Sequence, residues 1–314
     1  MSLLKIMFMG TPEFSLSTLD ALKEAGYSVD AIITQPDKPK NRGQKMSHPP
    51  VYDYAVENNI NVYQPENLKK ENFENILTDV DPDIIIVTAY GKILPEYVLN
   101  YPKYGCINVH ASLLPKYRGA APIQWSIING EKVTGVTIMY MEKGLDTGDM
   151  ILKEEVEITP VDTYETLHDK LALVGKKAIK DALVLIENGK VTAQKQDDAL
   201  SNYAHMIDKN TARIDWSKTA NDINNLVRGL NPFPKAMTTY NGKLLKITET
   251  EVLDLKSSCE CGIVFEVEKD AICVSCGNAT SLRLKTIQLE GKKMMKVKDF
   301  LVGNKIDIGT KLGE

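Results

Sequence analysis

Short apolar runs alternate with longer amphipathic segments through the first 190 residues. Five runs have the length and β-branched content of buried strands: 3–10, 27–34, 60–63, 83–89 and 104–110. Apolar residues recur at helical spacing in five segments: 12–26, 49–59, 66–80, about 120–129 and 164–189. Two further runs, 133–140 and 150–158, are predicted as strands near the edge of the sheet. The alternation predicts an α/β fold with a doubly wound, Rossmann-like, mostly parallel sheet.

The pattern changes after Gly189. Residues 190–207 are polar and lack periodicity, as in a linker. A helix is predicted over 219–230, and from Lys235 onward short alternating runs are separated by turn residues, the pattern of a small all-β barrel. We therefore predict a first domain over 1–189, a linker over 190–207 and a second domain over 208–314.

Composition changes this picture little, but charge is unevenly distributed. The 314 residues are 43% hydrophobic and 25% charged, as in an ordinary globular protein. Residues 1–207 carry a net charge of −7, from 21 basic and 28 acidic side chains, whereas 208–314 carry +3, from 17 and 14. The basic second part suggests a polyanionic partner, although ordinary variation in surface charge explains it equally well. Since no apolar run approaches the roughly 20 residues of a membrane span, no membrane partner is expected.

Polar side chains stand at the predicted end of the strand 104–110. In open α/β sheets the working site lies at the carboxyl ends of the strands. Asn108 and His110 are two residues apart, so their side chains project from the same face of that strand. An amide and an imidazole so placed can hold a carbonyl oxygen and stabilise negative charge on it. The alternative is that His110 only caps the strand edge through a backbone hydrogen bond.

A second candidate is the loop "GLDTGD" at 144–149. Glycines on both sides of Asp146 allow a close backbone approach that aims its carboxylate into a pocket. A carboxylate beside a histidine orients the imidazole and favours its charged form. The alternative is a turn that closes a hairpin, a role that Asp149 fits as well.

A basic, proline-flanked loop covers 35–51. Four cations within it suit the binding of phosphate groups: Lys38, Lys40, Arg42 and Lys45. The alternative is a solvated surface loop. The loop after the first strand, "GTPEFS", lacks the G-x-G-x-x-G of dinucleotide-binding enzymes, so no nicotinamide cofactor is expected.

The chain has five cysteines, an odd number that indicates free thiols in a reducing compartment, and we therefore expect a cytoplasmic protein. Four of them form a C-x-C pair and a C-x-x-C pair: Cys259, Cys261, Cys273 and Cys276. A zinc site is one interpretation, but C-x-C departs from the usual spacing of zinc ligands, and cysteine is common in β-sheet cores. We predict no metal site.

Motifs along nearly the whole chain resemble those of the methionyl-tRNA formyltransferases, a branch of the folate-dependent formyltransferase family. The first half contributes "MFMGTPEFS", "AYGKILP", "HASLLPKYRGAAPIQW", "TGVTIM" and "GLDTGDM". The second half contributes "RIDW", "NPFPKA" and "LEGKKMM". The combination of "SLLP", "YRGAAP" and a downstream "GLDTG" is specific to folate-dependent formyl transfer.

The resemblance implies an enzyme of translation initiation. It would transfer a formyl group from its co-substrate, 10-formyltetrahydrofolate, to the α-amino group of initiator methionyl-tRNA. Asn108, His110 and Asp146 match the catalytic residues of the family. Asn108 and a protonated His110 would stabilise the formyl oxygen, while Asp146 would keep His110 charged and oriented and help relay a proton to the departing N10. Neither a metal nor a nicotinamide cofactor is needed.

The resemblance also implies two binding surfaces. Nine residues match the folate pocket: Ala89, Tyr90, Gly91, Ile93, Leu94, Ser112, Leu113, Leu114 and Pro115. Arg42 falls in the loop that meets the tRNA acceptor stem, beside Lys38, Lys40 and Lys45. Residues 208–314 resemble an OB-like barrel that follows the tRNA backbone, and 1–189 the formyltransferase catalytic domain.

Two positions depart from the family pattern. Met206 stands where a lysine is common, and Phe233 where a tryptophan is common, and we expect Phe233 to fill an apolar slot.

Two other functions stay open. A formyltransferase for a small amine, such as glycinamide ribonucleotide or an amino sugar nucleotide, would have no use for 208–314. A non-catalytic RNA-binding protein would not need the three intact catalytic residues. An asymmetric macromolecular substrate favours a monomer.

Overall fold

The computed structural model describes residues 4–40 and 45–314, and these form two compact units. The first unit contains the residues up to Pro122, Val133–Glu157 and His168–Ala204. The second contains Ile123–Lys132, Ile158–Leu167 and His205–Glu314. No helix in the described part of the chain is long and apolar enough to cross a membrane.

The first unit alternates strands and helices, as the hydrophobic pattern predicts. Its strands are β1 (Ile6–Gly10), β2 (Val29–Ile33), β3 (Lys38–Lys40), β4 (Lys45–Ser47), β5 (Asn61–Tyr63), β6 (Ile84–Thr88), β7 (Cys106–His110), β8 (Arg118–Gly119), β9 (Val133–Tyr140), β10 (Met150–Glu157) and β11 (Tyr203–Ala204). Its helices are α1 (Phe14–Glu24), α2 (Pro50–Glu57), α3 (Lys70–Val80) and α4 (Glu96–Leu99). Two more helices, α5 (Pro122–Ile128) and α6 (Tyr164–Glu187), each have residues in both units.

Seven strands form one sheet in the order β10-β9-β7-β6-β1-β2-β5. The five strands from β7 to β5 are parallel, while β9 and β10 continue the sheet in antiparallel pairing. Every residue of β1, β6 and β7 is buried, as expected for central strands covered on both faces. The chain builds outward from β1 in one direction and then from β6 in the other, so the switch point lies between β1 and β6.

Helices cover both faces of this sheet. Met7 and Ile85 pack with Phe73 and Leu77 of α3 on one face. On the other face α6 runs close to β7, since a Cβ at Gly175 would lie 3.6 Å from Val109 Cγ1. The apolar stripe of each helix therefore faces the sheet.

Besides its parts of α5 and α6, the second unit contains the helix α7 (Ala220–Gly229). The remaining elements are β12 (Ala236–Tyr240), β13 (Lys243–Leu253), β14 (Val264–Val267), β15 (Ile272–Ser275), β16 (Ser281–Leu289), β17 (Met295–Lys296) and α8 (Val297–Gly303). The sheet is antiparallel, in the order β12-β13-β16-β15-β14, with β17 on β16. Residues 309–313 hydrogen-bond to both ends of this order, through Val264 and Thr239. The predicted fold class, a mostly parallel α/β sheet followed by a small β domain, is confirmed.

The prediction for Phe233 is wrong. Its side chain is 79% exposed, in the turn between α7 and β12. Leu230 and Ala236, at the two ends of that turn, are fully buried and fill the core instead. Met206 is also exposed, at 77%.

Candidate active site

Three polar side chains from two separate segments meet at the carboxyl end of β7. Asn108 and His110 are both at least nine-tenths buried there. Asp146 lies in the loop that follows the neighbouring strand β9. Its Oδ2 is 3.7 Å from His110 Nδ1, and its Oδ1 accepts a hydrogen bond from Asn108 Nδ2 at 3.5 Å. The structure thus brings together Asn108, His110 and Asp146.

The loop backbone presents Asp146 to this cluster. Asp146 adopts a φ of +54°, a left-handed conformation that is uncommon outside glycine. Its Oδ2 accepts a hydrogen bond from the backbone N–H of Gly119 at 2.8 Å. Gly148 allows the loop to fold tightly, because a Cβ there would lie 1.9 Å from the carbonyl oxygen of Tyr140.

His110 makes a backbone hydrogen bond as well. Its Nε2 lies 2.9 Å from the carbonyl oxygen of Tyr117, which can only accept, so Nε2 carries the proton. The backbone bond weighed as an alternative at the sequence level therefore exists. It does not exclude a chemical role, because Nδ1 is left on the side of Asp146.

Sequence reasoning missed the residues that support this cluster. The segment Tyr117–Gly119 supplies the acceptor for His110 and the donor for Asp146, and β8 within it pairs with β11. Arg118 and Gln196, both buried, form a hydrogen-bonded pair behind the Asp146 loop. "YRG" lies within a quoted motif but acts partly through its backbone, and nothing in the local sequence marks Gln196.

The predicted folate residues after β6 divide into buried and exposed ones. Val87 pairs with Asn108, so the chain leaving β6 passes beside the cluster. Tyr90 and Leu94 are buried in the core, whereas Ile93 is 77% exposed. The Tyr90 hydroxyl has no hydrogen-bond partner within the described residues, and burial raises the pKa of Tyr90 to about 12.

The loop after β6 is tied to the switch point of the sheet. Thr11 Oγ1 and Gln35 Nε2, which follow β1 and β2, donate to the carbonyl oxygen of Tyr90 at 3.0 and 3.1 Å. Ala89 and Gly91 flank that carbonyl with φ values of +48° and +82° and are exposed. Backbone groups and small residues thus form the exposed surface at the start of this loop.

The other predicted folate segment, 112–115, is held by β9 and β10. Thr137 Oγ1 donates to the carbonyl oxygen of Ser112 and accepts from the N–H of Leu114. Lys153 Nζ donates to the carbonyl oxygen of Leu114 at 2.6 Å, and burial lowers the pKa of Lys153. The buried residues of this segment are Ser112 and Leu114, and the half-buried ones are Leu113 and Pro115.

The predicted phosphate-binding loop is a hairpin of β3 and β4. Lys38 is exposed, and the backbones of Lys40 and Lys45 pair across the hairpin. Arg42 lies outside the described residues. At the hairpin base Asp37 accepts hydrogen bonds from Gln64 and then His48, which lower the pKa of Asp37. Among the residues it describes, the structure does not bring this hairpin into hydrogen-bond contact with Asn108, His110 or Asp146.

No three of the four paired cysteines, all of which the structure describes, have thiols that lie within 4.8 Å of one another. Within the described ranges, the one group of three metal-ligand side chains whose ligand atoms all lie within 4.8 Å is Glu266, Glu268 and Cys273. Cys276 belongs to the apolar core, where burial raises its pKa to about 12. Both carboxylate oxygens of Glu268 accept from Arg283.

The chain is similar to known formyltransferases at two levels. Family models described as "Formyl transferase" and "Formyl transferase, C-terminal domain" match residues 4–183 and 206–305. A methionyl-tRNA formyltransferase of Clostridium novyi is 50% identical over 98% of this chain and 100% of its own length. That of Ruminiclostridium cellulolyticum is 48% identical over 99% and 100%.

Solved structures show the same fold at lower identity. WlaRD, a sugar 3N-formyl transferase, superposes with a TM-score of 0.68 at 21% identity, over 93% of this chain and 100% of its own. An N-formyltransferase from Helicobacter canadensis, solved with folinic acid and dTDP-3-aminofucose, gives 0.66 at 20% identity, over 90% and 99%.

Proposed function

This chain belongs to the methionyl-tRNA formyltransferases of the formyl transferase family, and from that membership we propose which of its residues carry the reaction. The enzyme transfers a formyl group from 10-formyltetrahydrofolate to the α-amino group of methionyl-tRNA. The observation that supports our assignment is the meeting of Asn108, His110 and Asp146, with His110 Nδ1 3.7 Å from Asp146 Oδ2.

Asn108 and His110 stabilise the charge that forms on the formyl oxygen. When the neutral amine attacks the formyl carbon, that oxygen gains negative charge. Asn108 Nδ2 has two N–H groups, and its hydrogen bond to Asp146 uses one of them, so the other can donate to the oxygen. On His110 the Nε2–H is taken by Tyr117, so Nδ1 is the ring atom that serves the reaction.

Asp146 orients His110 and shares its proton. Both ring nitrogens of His110 face oxygen acceptors, an arrangement that suits the doubly protonated imidazolium. As the bond from the formyl carbon to N10 breaks, the amine loses a proton and N10 gains one. Asp146 Oδ2 accepts the proton that the amine loses and the Nδ1–H of His110 donates one to N10, after which the proton on Asp146 passes to Nδ1.

The loops after β6 and β7 hold the folate. We assign the contact surface to the exposed or half-buried members, Ala89, Gly91, Ile93, Leu113 and Pro115, and to the backbone around them. The buried members, Tyr90, Leu94, Ser112 and Leu114, support these loops from the core. This division follows from which side chains a ligand can reach.

The tRNA meets the basic hairpin and the second domain. Arg42, with Lys38, Lys40 and Lys45, contacts the acceptor stem of the initiator tRNA, and the β-sheet domain over 208–314, with its net charge of +3, follows the phosphate backbone. The catalytic domain covers 1–189 and the linker 190–207. We further propose that the protein works as a monomer in the cytoplasm, where charged tRNA is found.

A formylation assay tests the function. The full chain is incubated with 10-formyltetrahydrofolate and charged initiator tRNA, and the formylated methionine is released and measured. Parallel arms offer glycinamide ribonucleotide and an amino sugar nucleotide. We expect product only with methionyl-tRNA, and transfer to a small amine in its place would overturn the proposal.

A further inference from the structure

We propose that Gln196 is a positioning residue for formyl transfer, which holds the backbone of the Asp146 loop, and that Arg118 fixes the direction of its amide; this rests on the role proposed above for Asp146. Gln196 belongs to the polar segment that sequence reasoning treats as a linker. It is nevertheless 6% exposed, and its hydrogen bonds run to the catalytic loop.

The amide of Gln196 joins two points of that loop. Its Nε2 donates to the carbonyl oxygens of Asp146 and Gly148, both at 2.8 Å. Asp146 has an unfavourable φ of +54°, and such a conformation persists only when its surroundings hold it. Gln196 holds the backbone carbonyl of Asp146, and the N–H of Gly119 holds its carboxylate.

Arg118 decides which end of the amide faces the loop. Its Nε and one terminal nitrogen donate to Gln196 Oε1 at 3.0 and 2.8 Å. A guanidinium has donors only, so it selects the oxygen end of the amide and leaves the nitrogen end for the two carbonyls. If the Gln196 amide were reversed, its nitrogen would face the donors of Arg118 and its oxygen would face the two loop carbonyl oxygens.

The burial of Arg118 supports this assignment. Its side chain is 3% exposed, and a buried cation destabilises a protein unless hydrogen bonds and a counter-charge satisfy it. Asp198, whose side chain is 83% exposed, accepts from the same terminal nitrogen at 2.8 Å and supplies that charge from the surface. A continuous series of hydrogen bonds therefore runs from Asp198 through Arg118 and Gln196 to the backbone of Asp146.

The test replaces the amide nitrogen of Gln196 by an oxygen. Gln196→Glu keeps the shape and the acceptor for Arg118 but puts an oxygen against the two loop carbonyls. Gln194→Glu, the same change at an exposed glutamine two residues earlier, is the matched control. Both substitutions are also made in an Asp146→Ala background. We measure kcat, the KM for 10-formyltetrahydrofolate and for methionyl-tRNA, and the melting temperature.

We expect Gln196→Glu to lower kcat about 10- to 100-fold with both KM values within about 2-fold, and Gln194→Glu to change neither. In the Asp146→Ala background, Gln196→Glu should lower kcat by less than about 2-fold, because the carboxylate it positions is gone. An equal loss in both backgrounds, or unchanged kcat in the single variant, would overturn the proposal. If Gln196→Glu melts early, Gln196→Met provides the same comparison with an apolar side chain of similar length. A fully active Asp146→Ala enzyme would instead refute the role of Asp146.

Discussion

His110 Nε2 donates a hydrogen bond to the carbonyl oxygen of Tyr117 at 2.9 Å, and this contact decides which edge of the imidazole meets Asp146. Tyr117 itself adopts a φ of +59°, a conformation that costs an L-residue about 1–2 kcal/mol. Pairing of β8 with β11 holds the Tyr117–Gly119 segment in place. The strained backbone of Tyr117 thus fixes the orientation of the His110 ring.

Removing the charge of Asp146 should abolish most of the activity. Asp146→Asn keeps the shape but cannot accept a proton, and we expect kcat to fall by about 100- to 1000-fold with little change in the affinity for tRNA. Asp149→Asn, three residues later in the same loop, is the control and should stay active. Single-turnover kinetics measure the chemical step, and a chemical rate unchanged by Asp146→Asn would contradict the assignment. His110→Ala should behave as Asp146→Asn does.

A methyl group at Gly119 should disturb the site through the backbone. Gly119 has a φ of +109°, and a Cβ there would lie 3.0 Å from the carbonyl oxygen of Ala204. We expect Gly119→Ala to lower the free energy of unfolding by about 1–3 kcal/mol and to lower kcat, since the N–H bound to Asp146 moves.

Gly26→Ala is the control, because it introduces backbone strain without a new steric contact. Gly26 also has a positive φ, of +80°, but a Cβ there meets nothing within 4 Å. It should therefore lose stability without losing kcat. Comparable kcat in the two variants would show that the Gly119 N–H does not position Asp146.

Tyr90→Phe should stabilise the protein. The Tyr90 hydroxyl is buried without a hydrogen-bond partner in the described part of the chain, and its removal should raise the free energy of unfolding by about 1 kcal/mol. Tyr97→Phe is the matched control with the opposite sign, because the Tyr97 hydroxyl donates to the carbonyl oxygen of Leu68 at 2.9 Å. Chemical denaturation measures both. A higher KM for folate in Tyr90→Phe would show that the hydroxyl binds the co-substrate.

The basic hairpin should act on tRNA and not on chemistry. Arg42→Ala is expected to weaken the discrimination between initiator and elongator methionyl-tRNA, and Lys38→Ala to reduce the salt dependence of tRNA binding. Lys103→Ala, an exposed lysine that precedes β7 at the other end of the strand, is the control. Filter binding at several salt concentrations gives the slope of the logarithm of the tRNA binding constant against the logarithm of the salt concentration. Unchanged selectivity in Arg42→Ala would rule out the role of the loop.

Acid should remove a stabilising contact from the second unit. Hydrogen bonds from Lys296 and then Thr286 hold the pKa of Glu249 below its ordinary value of 4.5. A carboxyl whose folded pKa is lowered stabilises the fold above its unfolded pKa, and that contribution disappears as the pH falls through the folded pKa.

The difference in unfolding free energy between wild type and Glu249→Gln should therefore be present at pH 6 and vanish as the pH falls well below 4.5. Both tryptophans, Trp125 and Trp216, lie in the second unit, so tryptophan fluorescence follows its unfolding. A difference that grows toward acid pH would contradict the assignment.

The hydrophobic pattern by itself determined the seven strands of the first sheet and helices α1, α2, α3, α5, α6 and α7, but it did not predict the short elements β3, β4, β8, β11, α4 and α8. Buried strands need apolar runs such as "DIIIVTA", and amphipathic helices need one apolar stripe. Both patterns are visible in the order of residue types along the sequence. The pairing of Asn108 with His110 followed from the two-residue repeat of a strand, and Asp146 from the glycines around it and from the family motifs.

Only the tertiary structure decided what surrounds these residues. The contacts from Tyr117, Gly119 and Gln196 to His110 and to the Asp146 loop are made mostly through backbone atoms or across long stretches of chain, as with Gln196 and Asp146, which are 50 positions apart. Backbone donors and acceptors are the same at every residue but proline, so no sequence pattern marks which of them converge. The exposure of Phe233 and the grouping of Cys273 with Glu266 and Glu268 had the same cause: burial and distance depend on how the chain packs, and residue type alone does not fix them.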